Sequence, residues 1–154
     1  MKLLIQLSAA LFVTLPLATF AHEHDKSIVP GEEKEIAARM GMEGPAETKG
    51  VGEVKVLGTM PLDGEMEGLQ GYVMRVREIT LLPGGQVAVH QHHSRPGAAY
   101  VIEGELVEHR NDVEGPVDRG PGDVALEKSG IVHWWENKSA QAARVVVVDI
   151  IKPE

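Results

Sequence analysis

The chain has 154 residues, with 15 basic against 23 acidic side chains and a formal charge of −8. This is enough for one hydrophobic core, and it offers no basic surface to a nucleic acid. Hydrophobic residues at 43% and charged residues at 25% exclude both a disordered acidic tail and a membrane-embedded chain, and zero cysteine removes disulfides, thiolate ligands and a cysteine nucleophile together. Histidine is left as the natural metal ligand.

Met1 to Ala21 carries Lys2, then an apolar run through Leu17 with no acidic residue, and ends in Thr19-Phe20-Ala21. That is the pattern of a secretory signal cut after Ala21, too short and too interrupted by Pro16 for a bilayer span. Cleavage removes one base and no acid, which leaves 14 basic and 23 acidic residues in the mature chain. A periplasmic or secreted protein is expected, with no stable membrane insertion after cleavage. The new N-terminus would read His22-Glu23-His24, and a histidine in third place resembles the amino-terminal copper and nickel motif, so His22 and His24 form a candidate site of their own.

Residues 22–52 are polar and turn-rich, with one stretch, Glu32 to Met42, of helical character. From about Glu53 onward, short runs of Val, Ile and Leu alternate with glycine-containing turns. Eight strands are expected: Glu53–Gly58, Gly71–Leu82, Gln86–His92, Ala98–Glu103, Glu105–Arg110, Asp123–Glu127, Val132–Asn137 and Ala143–Ile151. The implied fold is all-β, an antiparallel barrel or sandwich spanning residues 53–154 behind a short N-terminal segment.

The histidines concentrate chemistry on two of these strands. His90 and His92 stand two apart, so they share a face of a strand, while Gln91 and His93 point the other way. His133, on a later strand beside Trp134 and Trp135, is the natural third imidazole. Three neutral nitrogens would leave coordination positions open on a divalent ion, as a catalytic or ligand-binding site requires. His93 would need a bulge to reach the same ion.

At these residues the sequence resembles the cupin superfamily. Gly84, His90, His92 and Gly104 fit the spacing of the first cupin motif, and Gly122, Gly130, His133 and Asn137 that of the second, with seventeen residues between Gly104 and Gly122. Two departures stand out: Gly97 occupies the place of the motif glutamate, and Lys128 that of a proline. The resemblance implies a small double-stranded β-helix, a jelly-roll barrel with a pocket inside, often a homodimer. It also implies a metal shell of three histidines without the usual glutamate, similar to that of thiol and diketone dioxygenases of the superfamily. Imidazole suits Fe, Mn, Ni, Cu and Zn alike, so the ion is not identified.

Other residues near the motifs supply candidates of lower rank. Glu103 shares strand parity with position 97 and is a candidate extra ligand. Arg75 and Arg77 share a face and could anchor a substrate carboxylate, or pair with Glu78, Glu103 and Glu127. Tyr100 and Trp135 are candidate pocket aromatics, Trp135 sharing its face with His133. Asn137 is read as a tie for backbone at a strand end. No nucleophile elbow, phosphate loop or paired acid–base carboxylates accompany these residues. Three function classes follow: an oxygenase-type metalloenzyme acting on a small organic molecule, a non-catalytic barrel that binds or senses a small molecule or metal, or a storage-type or structural barrel with no ligand.

Overall fold

The computed structural model describes residues 28–153. The signal segment and His22 and His24 lie outside the described residues. Helix α1, Gly31–Arg39, opens after Pro30 with Glu32 and Glu33 in its first turn and Arg39 in its last, a charge order that suits the helix dipole. It ends before the expected Met42. Amides of Met40 and Gly41 close on Ala37 and Ala38, and Gly41 has a φ of 73°, so the chain leaves the helix there.

Eight strands follow, β1 Lys49–Pro61, β2 Val73–Gln91, β3 Gly97–Glu103, β4 Leu106–Arg110, β5 Pro116–Arg119, β6 Val124–Glu127, β7 Val132–Glu136 and β8 Ala143–Ile151. They form one antiparallel sheet in the order β5-β4-β7-β2-β8-β3-β6, with β1 added against β2. This is an all-β jelly-roll barrel. The number of strands agrees with expectation, but their identities differ at two places. The segments expected at Gly71–Leu82 and Gln86–His92 are one long strand that changes partner: Val73 to Leu81 pairs with β8, and Gln86 to Gln91 pairs with β7.

The change of partner happens at Pro83-Gly84-Gly85. Gly84 has a φ of 71°, its amide donates to the Asn137 carbonyl at 2.9 Å, and the Asn137 amide donates to Gly85 at 2.9 Å. The Asn137 side chain donates to the carbonyls of Leu81 and Gln141 and accepts from Ser139, so it ties this corner as its sequence position suggests. The strand not anticipated, β5, begins at a proline and alternates exposed with half-buried residues, a pattern too polar to stand out from a turn.

The core follows the alternation of side chains. On β8, Ala143, Val145, Val147 and Asp149 face inward, where the three apolar residues meet Leu81, Ala99, Val101, Leu106, Ala125 and Trp135. Each β-branched valine removes its apolar surface from water at about 25 cal/mol per Å². The same inward parity that packs valines at 145 and 147 carries a carboxylate to 149, and on β2 and β7 it carries the histidines.

Candidate metal centre

His90 and His133 stand opposite each other in the β2–β7 register, and His92 follows two residues on, just past the end of β2. All three are buried, and their Nε2 atoms converge: His92 to His133 is 2.9 Å and His133 to His90 is 3.1 Å. Each Nδ1 hydrogen is spent elsewhere. His90 donates to the Ala88 carbonyl at 2.8 Å, His92 to the Arg95 carbonyl at 3.1 Å, and His133 to Glu108 Oε1 at 2.7 Å. These acceptors set the tautomer, so three bare Nε2 lone pairs aim at one point with no hydrogen among them.

Lone pairs so placed repel each other and attract a cation. Burial, then the neighbouring imidazoles, pushes His90 well below the ordinary histidine range. Burial, Arg95 and His133 together bring His92 down to about 3. Both are therefore neutral at pH 7, the form that ligates. The donor set fits a divalent ion, and His90, His92 and His133 would hold it.

Behind His133 lies a carboxylate that sequence reasoning missed. Glu108 is fully buried on β4 and accepts from His133, from Arg110 at 2.9 Å, and twice from Arg119 at 2.9 and 2.7 Å. Burial alone would raise its pKa, but the hydrogen bonds from His133 and Arg119 and the charge of Arg110 hold it below the usual value. The alternation Leu106, Glu108, Arg110 on β4 was the available signal, an acid at an inward position.

A second buried cluster was also missed. Asp149 accepts from Arg75 at 3.0 and 2.8 Å, from Arg77 at 2.8 Å and from Arg95 at 3.0 Å. Arg95 in turn grips buried Glu33 and so fastens α1 to the barrel. Between this cluster and the imidazoles is a cavity of about 60 Å³. Its walls are mostly apolar, from residues such as Ile28, Ile79, Val87 and Trp135, and its polar edges are Arg77, Arg95, His90, His92 and Glu127. Burial pulls Arg77 down to about 10 against the attraction of Asp149, while burial raises Glu127 above the ordinary carboxylate range.

Residues 77–149, which contain the converging histidines, match the family described as Cupin domain, Cupin_2. The chain belongs to the cupin superfamily. Its barrel is similar to KdgF from Halomonas sp., with a TM-score of 0.52 and 12% identity over 70% of this chain and 89% of that one. The protein TT1209 from Thermus thermophilus is 25% identical over 75% of this chain and 94% of that one, with a TM-score of 0.47. A predicted oxalate decarboxylase from Thermotoga maritima is 23% identical over 68% and 98% respectively, with a TM-score of 0.46. No curated protein matches the chain.

The remaining candidate residues of this cupin are placed as follows. Trp135 faces inward, edge-on to His133 with ring centroids 6.0 Å apart. Arg77 reaches the cavity, whereas Arg75 is partly exposed; both pair with Asp149 and not with the three glutamates considered from sequence. Tyr100 has the opposite strand parity to Ala99 and Val101 and faces solvent, so it does not line the pocket. Glu103 is inward in parity but lies beyond a register shift at the strand end, where it is 61% exposed and bonded to Arg144 at 2.8 Å; it does not join the histidines. His93 is exposed beside Ser129 and likewise stays apart. Gly97 sits against β8 so closely that a Cβ there would lie 2.5 Å from the Val148 carbonyl oxygen, which forbids a glutamate at that position without moving the strand.

Proposed function

We propose that this cupin binds one divalent ion, Fe, Mn, Ni, Cu or Zn, through His90, His92 and His133, and acts on a small organic molecule held in the adjoining cavity, with oxygenase-type chemistry as the reaction class. The observation that carries the reading is the convergence of three Nε2 lone pairs, each backed by a hydrogen-bonded Nδ1, with His90 and His92 on the wall of that cavity. When bound, the ion would supply Lewis acidity and a meeting place for substrate and oxygen. The protein's own contributions are separable from it. Arg77, whose buried Nε has no partner among the described residues, favours a carboxylate-bearing ligand, and the apolar wall with Trp135 excludes water around its body.

A second reading is favoured by Gly97 at the glutamate position: a barrel that captures or senses a small molecule or metal without turning it over. The reading also includes a periplasmic or secreted, homodimeric protein. Mass spectrometry of the mature N-terminus tests the first of these, and sedimentation the second. The central test is elemental analysis of the purified protein and of His90→Ala, His92→Ala and His133→Ala. Stoichiometric metal in the wild type, lost in the variants, is the expected result, and a wild type that takes up none under any loading condition overturns the reading. Oxygen consumption with thiols, diketones and phenols then separates enzyme from binding barrel.

A further inference from the structure

Among the described residues three buried side-chain atoms have no hydrogen-bond partner, Arg77 Nε, Gln91 Oε1 and Glu127 Oε2. Glu127 is the only anion of the three, and a buried carboxylate oxygen without a donor is costly unless something else meets it. Its surroundings point to what that is. Glu127 Oε1 is 3.9 Å from His133 Nε2, and Oε2 is 3.6 Å from His92 Nδ1. Two atoms bonded to one ion at roughly 2.1 Å each stand no more than about 4.2 Å apart, so Oε1 and the His133 nitrogen lie within the span of a single ion.

Charge and topology agree with this placement. Three neutral imidazoles leave both charges of a divalent ion uncompensated in a buried site. The other buried carboxylates nearby are already engaged, Glu108 by His133, Arg110 and Arg119, and Asp149 by Arg75, Arg77 and Arg95. Among the buried carboxylates of the described residues, Glu127 alone keeps an oxygen without a hydrogen-bond partner. It is also the cross-strand partner of Gly97 in the β3–β6 register, next to the position where the chain has no room for a side chain. We infer that Glu127 is the anionic ligand of the metal held by His90, His92 and His133, delivered from β6 where β3 carries no side chain. Its oxygens stand outside the cluster of ligand atoms that lie within 4.8 Å of one another, so coordination requires the side chain to turn in from the cavity wall. The inference rests on the reading of the three histidines as a metal site.

Titration of the apo protein with Co(II), followed by d–d absorption, tests it. Glu127→Gln keeps the shape and removes the charge. It should weaken Co(II) binding at least about ten-fold and alter the d–d spectrum, because a coordinating oxygen is exchanged. Co(II) affinity equal to that of the wild type overturns the inference, as does a weaker affinity with an unchanged spectrum, which would mean a charge acting from a distance. If Glu127→Gln does not fold, Glu127→Asp carries the same comparison: a shifted spectrum is expected, and an unshifted one overturns the inference. A wild type that binds no Co(II) overturns the metal reading itself, a result distinct from all of these.

Discussion

Two glutamates flank His133, both sealed from water, and they could hardly be more different in what surrounds them. Glu108, behind the ring, receives hydrogen bonds from one imidazole and two guanidiniums, and its pKa is held down. Glu127, in front, has an oxygen with no donor at all, and burial pushes its pKa up. A buried carboxylate with every lone pair answered fixes geometry, because any movement breaks several charged hydrogen bonds at once. One left unanswered on a cavity wall holds chemistry in reserve at the expense of stability. The contrast separates the scaffold of this site from its working face.

The largest effect is expected from removing the ring between them. His133→Ala takes away one of three converging nitrogens and leaves Glu108 facing a hole, so stoichiometric metal should be lost, as read by elemental analysis after loading. Glu108→Ala comes next. It leaves Arg110 and Arg119 without their buried partner and lets the His133 ring rotate. A loss of about 3–5 kcal/mol in urea unfolding of the apo protein is expected, with metal affinity weakened about 10–100-fold in whatever folds. Unaltered affinity in a folded Glu108→Ala protein would mean that the ring is held by packing alone.

Glu127→Gln should act in the opposite sense on apo stability. The folded state raises this carboxyl's pKa above 4.5, so it binds the proton more tightly than the unfolded chain does. The stability that this contributes is present below 4.5 and lost as pH rises through the folded value. The variant should therefore gain on the wild type as pH rises from 4 to 8, by on the order of 1 kcal/mol at neutrality. Asp149 shows the reverse sign. Burial would raise it, but Arg75, Arg77 and Arg95 lower it below 3.8, so its stabilisation is full at neutral pH and fades as acid protonates it. Urea midpoints across that range check both, and a pH-independent difference between wild type and Glu127→Gln would remove the charge-burial account.

The barrel and the histidine set were legible in the sequence because each depends on a short period: alternation places His90 with His92, and the two glycine-rich motifs fix the turns. Glu108, Glu127 and Asp149 were not legible, since a lone acid at an inward strand position looks like any solvated one until the sheet register shows what surrounds it; for Asp149 the answering charges come from 54 to 74 residues away. Arg75, for instance, meets Asp149 at a separation of 74 residues. The expected partners were the glutamates of an acidic barrel surface, whereas the β2–β8 register supplied the aspartate. Gly97 is a similar case: its substitution reads as a lost ligand until the register puts Glu127 across from it.

The smallest effect is expected at the histidine that the motif leaves over. His93 adjoins His92 in sequence, but it is exposed, and its ring approaches the Ser129 hydroxyl at 3.4 Å. Strand geometry near His92 turns alternate side chains to opposite faces, so adjacency in sequence works against sharing an ion. His93→Ala should leave metal affinity unchanged and shift stability by no more than about 0.5 kcal/mol. A measurable loss of metal in His93→Ala would show that the chain after β2 rearranges to bring a fourth imidazole inward. That would compete directly with Glu127 for the same coordination position, so the Co(II) spectra of the two single variants and the double variant would tell which of them the ion takes.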